Sequence, residues 1–311
     1  MSEAEPWPEI PFEAWKDTCA ALHLYTQIVG KYRLAHTPWV NHSWHATLYV
    51  NADGLTTGLI PDAQGITIQF DLHRHLLLAS CPGGAGDSFA LEPMSVADFD
   101  ARFSAMIERL GGSAIYHGRP NELEGIPFRE DTKQRPWDAE AVSRFHRALI
   151  RIDAVFNEFR TGFLGKVSPV HLFWGSFDLA VTRFSGRTAP SHPGGIPNLP
   201  DAVTREAYSH EVSSAGFWPG GGGIEDPCFY SYAYPTPDGF AEQPIMPDAA
   251  RFDSDLGEFV LPYEAVRTAS DPRRQLMKFL ESSFQAAATL GGWDKALTCD
   301  IGRKGVPRQV D

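Results

Sequence analysis

Cysteine, positive charge and long apolar runs are all scarce in this chain, and each shortage removes a class of protein. The 311 residues include four cysteines, Cys19, Cys81, Cys228 and Cys299. They are far apart and form no C-x-x-C pair, so a disulfide framework is not expected; reduced thiols in a cytoplasmic chain are. Lysine and arginine number 27 against 39 aspartates and glutamates, a net charge of −12. Such a field repels phosphate backbones, and no nucleic-acid partner is expected. No 18-residue apolar stretch occurs, so no membrane span is expected. The first ten residues lack the basic start and apolar run of a secretory leader. The H-E-x-x-H helix of zinc proteases and the G-x-S-x-G elbow of serine hydrolases are missing too.

What is present describes a folded, turn-rich protein. Hydrophobic residues make up 43% and aromatics 12%, with 28 glycines and 24 prolines. A chain of this length buries roughly 75% of its extended surface without a staple. Four helices follow from apolar spacing of three and four. The first, 12–29, carries Trp15, Cys19, Leu22, Tyr25 and Val29 on one stripe, with Gly30 as its stop. The second, 96–110, is capped by Ser95 with Asp98 at the capping-box position, and Gly111-Gly112 ends it. The third, 138–160, has a seam of Val142, Phe145, Leu149, Ile152, Phe156 and Phe159. The fourth, 272–290, opens with Asp271-Pro272, where the missing proline N–H costs nothing.

Short strand candidates fill the gaps: 43–50, 56–60, 65–72, 75–80 and 88–91, then 170–174, 177–184, 209–217, 229–234 and 258–261. His73-Arg74 reads as the turn between the third and fourth of these. Helices and strands do not alternate singly, so the expected class is α+β with antiparallel sheets. Each half reads helix, strands, helix. Gly30-Lys31 matches Gly165-Lys166; His42 and Trp44 match His171 and Trp174; Gly54-x-Thr56 matches Gly186-x-Thr188. This pattern suggests a diverged tandem duplication, although helix–meander–helix is common and short matches also arise by chance. The expected division is 1–118, a proline- and charge-rich linker at 119–136, and 137–311.

The stretches GKVSPVHLFWGSFDLAVTRFSGRTAP at 165–190 and YSHEVSSAGFWPG at 208–220 resemble the signature segments of an uncharacterised bacterial family, domain of unknown function 5996. Segments 229–239, 258–267 and 292–297 are similar to it as well, and so is QIVGKYR at 27–33. The resemblance spans nearly the whole chain but brings no reaction, cofactor or catalytic residue with it. His73 departs from the family pattern, which has an apolar or acidic residue there.

The segment 166–187 is dense in functional groups for a stretch that must contain a strand. Alternation sends Phe177, Leu179 and Val181 one way and Asp178, Ala180 and Thr182 the other; it also separates His210 from Glu211. A functional reading assigns His171, Asp178, His210 and Glu211 to acid–base chemistry. It assigns Lys166, Trp174, Arg183, Arg187, Ser214 and Trp218 to ligand binding. A structural reading has the same groups tying hairpins together through buried hydrogen bonds. The histidine pairs His42/His45 and His73/His75 lack a zinc pattern, and no specific metal is expected. Gly220–Gly223 lead to Glu225-Asp226 instead of a helix, which suits a loop better than a phosphate cradle. Tyr230, Tyr232 and Tyr234 form a period-two ladder that lines a groove or covers a sheet face. The sequence points to an enzyme acting on a small polar or anionic molecule, to a non-catalytic small-molecule binder, or to a partner-binding scaffold. It names no cofactor.

Overall fold

The computed structural model describes residues 6–221 and 224–299; Gly222 and Gly223 of the glycine loop lie outside the described residues. Helix α1 runs Phe12–His36, a turn and a half or more beyond its expected stop. Gly30 is buried inside it instead of ending it, because a Cβ there would collide with the Trp174 indole. The true stop is Thr37-Pro38, where proline forces the preceding residue into extended backbone (φ −111°, ψ 136°).

The first sheet is an antiparallel meander of β1 (Tyr49–Val50), β2 (Gly54–Ile60), β3 (Ile66–Asp71), β4 (Leu76–Ser80) and β5 (Gly86–Ala90), in that order. The strand expected over 43–50 shrinks to two residues. His42 and Ser43 take φ of 58° and 55° in a short 3-10 turn, and the Glu206 carboxylate receives the His42 N–H. The 73–74 turn is present as expected, with the Asp71 carboxylate accepting the N–H groups of His73 and Arg74 at 3.1 and 2.7 Å. Helix α2 (Val96–Arg109) starts with the expected Ser95/Asp98 capping box. It packs with α1 on one face of this sheet, where Tyr25 stacks on Phe99 at 4.2 Å.

Helix α3 (Ala139–Thr161) opens the second half, its N-terminus capped by Asp138. The strands that follow are β6 (His171–Phe173), β7 (Asp178–Thr188), β8 (His210–Trp218), β9 (Cys228–Tyr234), β10 (Arg251–Asp253) and β11 (Glu258–Pro262). Two short helices, α4 (Asp201–Ala207) and α5 (Tyr263–Arg267), sit between and after them, and α6 (Pro272–Leu290) closes the half. The sheet order is β10-β11-β9-β8-β7-β6. Apart from β10, which adds to the outer edge, this is the same meander as the first sheet. The orders are compatible with a duplication. The residue matches are weaker, since Gly30-Lys31 lies inside α1 whereas Gly165-Lys166 follows α3.

The fold is therefore α+β with two antiparallel sheets, of five and six strands. The sheets meet edge to edge at Leu48 and Leu172, which exchange backbone hydrogen bonds of 3.0 and 2.8 Å. Buried residues from both halves join one hydrophobic cluster. The segment joining the halves is packed down rather than free: Phe128 is buried and Met94 bridges to Arg135. Among the described residues no helix is long and apolar enough to cross a membrane.

Candidate functional site

Residues opposite each other in an antiparallel pair share a face, so register decides which polar groups meet. On the second sheet Leu179, Val181 and Arg183 of β7 pair with Phe217, Ala215 and Ser213 of β8. These face α3 and α6. The other face presents successive rows across β7, β8 and β9: Ala180–Gly216–Tyr230, Thr182–Ser214–Tyr232 and Phe184–Val212–Tyr234. Asp178 and Trp218 lie at one end of these rows, and Glu258 of β11 extends the face outward.

Gly216 makes the first row work. A side chain at this position would occupy the space taken by the Tyr230 ring, so the ring crosses β8 and its hydroxyl donates to Asp178 on β7. Ser176 donates to the other carboxyl oxygen. Burial pushes the Asp178 carboxyl up, while these two hydroxyls hold it down. Trp218 Nε1 donates to the Ser176 carbonyl at 3.0 Å, which fixes the turn before β7. In the second row Thr182 and Ser214 hydroxyls lie 2.8 Å apart, and Tyr232 meets the Tyr208 hydroxyl at 2.9 Å.

Two further acids complete the cluster. Glu122, from the segment joining the halves, has φ of 58° and lies against Gly175, where any Cβ would strike its carboxyl. Its neighbour Asn121 is tied down by α1: Gln27 accepts the Asn121 N–H at 2.7 Å and donates to its carbonyl at 2.9 Å, and Lys31 donates to its side chain. Burial and the Asp178 charge push Glu122 up to about 7, and the same two causes, in the same order, bring Glu258 to about 7. Among the described residues neither glutamate carboxyl makes a hydrogen bond or ion pair. Lys31, almost fully buried with its ammonium 5.4 Å from the Trp174 ring centroid, is pulled down to about 8 by burial. Asp178 and Tyr230 thus form a buried floor, and Glu122, Tyr208, Tyr232 and Glu258 form a half-buried rim.

Of the residues expected from sequence, Asp178, Ser214 and Trp218 belong to this face, and His171 pairs with Ala180 at the inner end of its first row, whereas Trp174 packs against Gly30 of α1 and donates to the Ala46 carbonyl at 2.7 Å. Lys166 and His210 lie elsewhere on the same half, around His42. Lys166 Nζ donates to His42 Nε2 at 2.8 Å and sits over the Trp44 and Phe184 rings, and the His210 ring lies 6.3 Å from that of His42. Arg183 faces the helices, stacked 3.4 Å from the Phe159 ring centroid and fully buried. Glu211 shares that parity. It pairs with Arg187 at 2.7 Å, and Arg187 in turn reaches the Gly292 carbonyl just past the end of α6. His171 is fully buried beside the seam, and its ring is not hydrogen-bonded to any carboxylate. The histidine–carboxylate pair suggested by sequence is thus not formed. Glu122, Glu258 and Lys31 were not anticipated, although Lys31 lies in QIVGKYR and the tyrosine ladder marked the face.

Among the described residues no group of three or more His, Cys, Asp or Glu is placed to hold a metal ion. Two clefts lie away from the cluster, one of ≈ 460 Å³ beside Glu211 and Trp293 and one of ≈ 470 Å³ beside Asp17 and Lys133. Neither gathers desolvated ionisable groups, and the carboxyl–tyrosine face is the better candidate on chemical grounds. No curated protein and no solved structure matches the chain. Residues 7–299 match the model of a family of unknown function (DUF5996), and the chain belongs to that family.

Proposed function

We propose that the chain binds a small molecule bearing a protonated amine on the carboxyl–tyrosine face of the second sheet. The observation that carries this reading is the pair Glu122 and Glu258. Both carboxyls are desolvated, both are pushed to about 7, and neither makes a hydrogen bond or ion pair among the described residues; the Lys31 charge offsets the burial of Glu122 only in part. A cation beside either carboxyl would offset its desolvation and the repulsion from Asp178, which both of them face. The hydroxyls of Tyr208 and Tyr232 offer hydrogen bonds, and the half-buried rings of Tyr232 and Trp218 offer apolar contact.

A second reading is supported by the position of those two carboxyls near neutrality. A group that is half-protonated at working pH is suited to giving and taking a proton, so the same pair can act as general acid and base on the bound molecule. In that case the acid–base role first expected of His171 and His210 falls to Glu122 and Glu258, with Lys31 and Asp178 setting their charge.

Thermal melting with a panel of mono- and polyamines, with sodium chloride at matched ionic strength as control, tests the binding. An amine that fits raises the melting temperature of the wild-type protein and not that of the Glu122→Gln, Glu258→Gln double variant. The reading fails if no amine exceeds the salt control, or if the double variant responds equally.

A further inference from the structure

The seam between the sheets holds a second group of ionisable side chains, of opposite sign. Arg33, near the end of α1, is 8% exposed, and its Nε and Nη1 donors have no acceptor. Its guanidinium lies 5.3 Å from the Tyr49 ring centroid. Tyr49 follows Leu48, which pairs antiparallel with Leu172, so Tyr49 lies beside His171 across the seam. His171 is fully buried with both ring nitrogens unpartnered; the Pro169 carbonyl faces the ring without reaching hydrogen-bond geometry. Arg160, at the end of α3, adds its charge to that of Arg33 at this ring. One Arg160 nitrogen donates to Asn157 at 3.0 Å, and its Nε has no acceptor. The neighbouring acid, Asp153, accepts from Asn157 at 2.9 Å and feels the Arg160 charge without a direct ion pair to it among the described residues.

A guanidinium cannot shed its proton to escape burial, so an uncompensated one must find an anion or destabilise the fold. Arginine's rigid fork of donors matches the two oxygens of a carboxylate or phosphate group. We propose that the seam is a binding site for a small oxyanion, held by Arg33 and Arg160 with Tyr49 and His171 as further donors. Two of these residues come from each half, so the anion would join the halves where the sheets touch. The site is separate from the acidic face and does not depend on the function proposed for it.

The test is thermal melting of the full chain in a zwitterionic buffer, titrated with sodium acetate, sodium phosphate or sodium chloride at matched ionic strength. The expected result is a rise of about 5 °C at a hundredfold excess over Kd, growing with the logarithm of concentration, for acetate or phosphate and none for chloride. Which of the two acts identifies the headgroup. Arg33→Gln should abolish the response and, without added anion, melt at or above the wild type because the unpaired charge is gone. Arg160→Gln, a second variant independent of Arg33, should weaken the response. Glu122→Gln should retain the response. Equal effects of all three salts, a response that survives Arg33→Gln, or a lower melting point for Arg33→Gln in anion-free buffer would each overturn the proposal.

Discussion

The two sheets follow one strand plan but use their faces differently. The first turns one face to α1 and α2 and leaves the other to water: Leu59, Thr67 and Ser80 form a row there in which two members are exposed and one is half-buried. The second is covered on both sides, and of its rows beyond the helices Ala180, Gly216 and Tyr230 are all buried. A polar group on the first sheet's outer face needs nothing from the protein, because water satisfies it. On the second sheet the same group must find a partner or shift its protonation. On the sheets, the carboxyls that burial pushes up, Asp178 and Glu258, lie on the sheet that is covered twice, whereas the buried Asp71 of the first sheet is held down by hydrogen bonds from Arg74 and His73.

The largest expected effect comes from breaking a covered row. Gly216→Val should displace the Tyr230 ring and cost about 3 kcal/mol, whereas Thr67→Val on the open row should change stability by less than about 0.5 kcal/mol. Urea unfolding of both variants checks the contrast; equal effects would remove the distinction between the faces.

A smaller effect lies in the pH profile. Glu122 and Glu258 have folded values near 7, above the ordinary 4.5, so the stability they contribute is full below 4.5 and lost as pH rises through 7. Burial pulls His171 down to about 3 and His23 to about 4, so their contribution is full above 6.5 and lost as pH falls towards those values. The two trends oppose each other. In the Glu122→Gln, Glu258→Gln variant the histidine trend stands alone. That variant should exceed the wild type at pH 8 by about 1–2 kcal/mol and lose stability more steeply on acidification from 6.5 to 4. Parallel pH curves for the two proteins would show that the glutamates are already compensated.

The smallest effect sharpens the role of the floor. Tyr230→Phe removes one donor from Asp178 while keeping the ring over Gly216, and should cost about 1 kcal/mol. With that donor gone, the Asp178 carboxyl should titrate higher still, measurable by carboxyl-selective NMR.

The long helices were legible because their apolar spacing and caps agree; Asp271-Pro272 and the Ser95/Asp98 box mark real starts. Gly30 misled because a glycine inside a helix and one ending it look alike until the Trp174 ring is known to fill the space. Elements of three to seven residues, β10, α4 and α5, are too short to show a period. Strand parity correctly separated His210 from Glu211. It also places Arg183 with Leu179 and Val181 on the helix side, a consequence that was in the alternation but outweighed by the chemistry of the residue. Asp178, Trp174 and Trp218 were visible as polar or aromatic groups within an apolar strand region. Glu122 and Glu258 were not, because neither carries a local pattern and only tertiary contact brings them to Asp178.

A sheet that ends in open strands offers its unpaired amides to any other chain, and two separate sheets would present four such borders. The single exchange between Leu48 and Leu172 closes two of them against each other. The borders that remain are poor templates: β10 is three residues long and bears Arg251 and Asp253, and β5 carries Asp87 within an ion pair to Arg109. The seam thus covers the edges of β1 and β6, and loosening it would expose their unpaired amides.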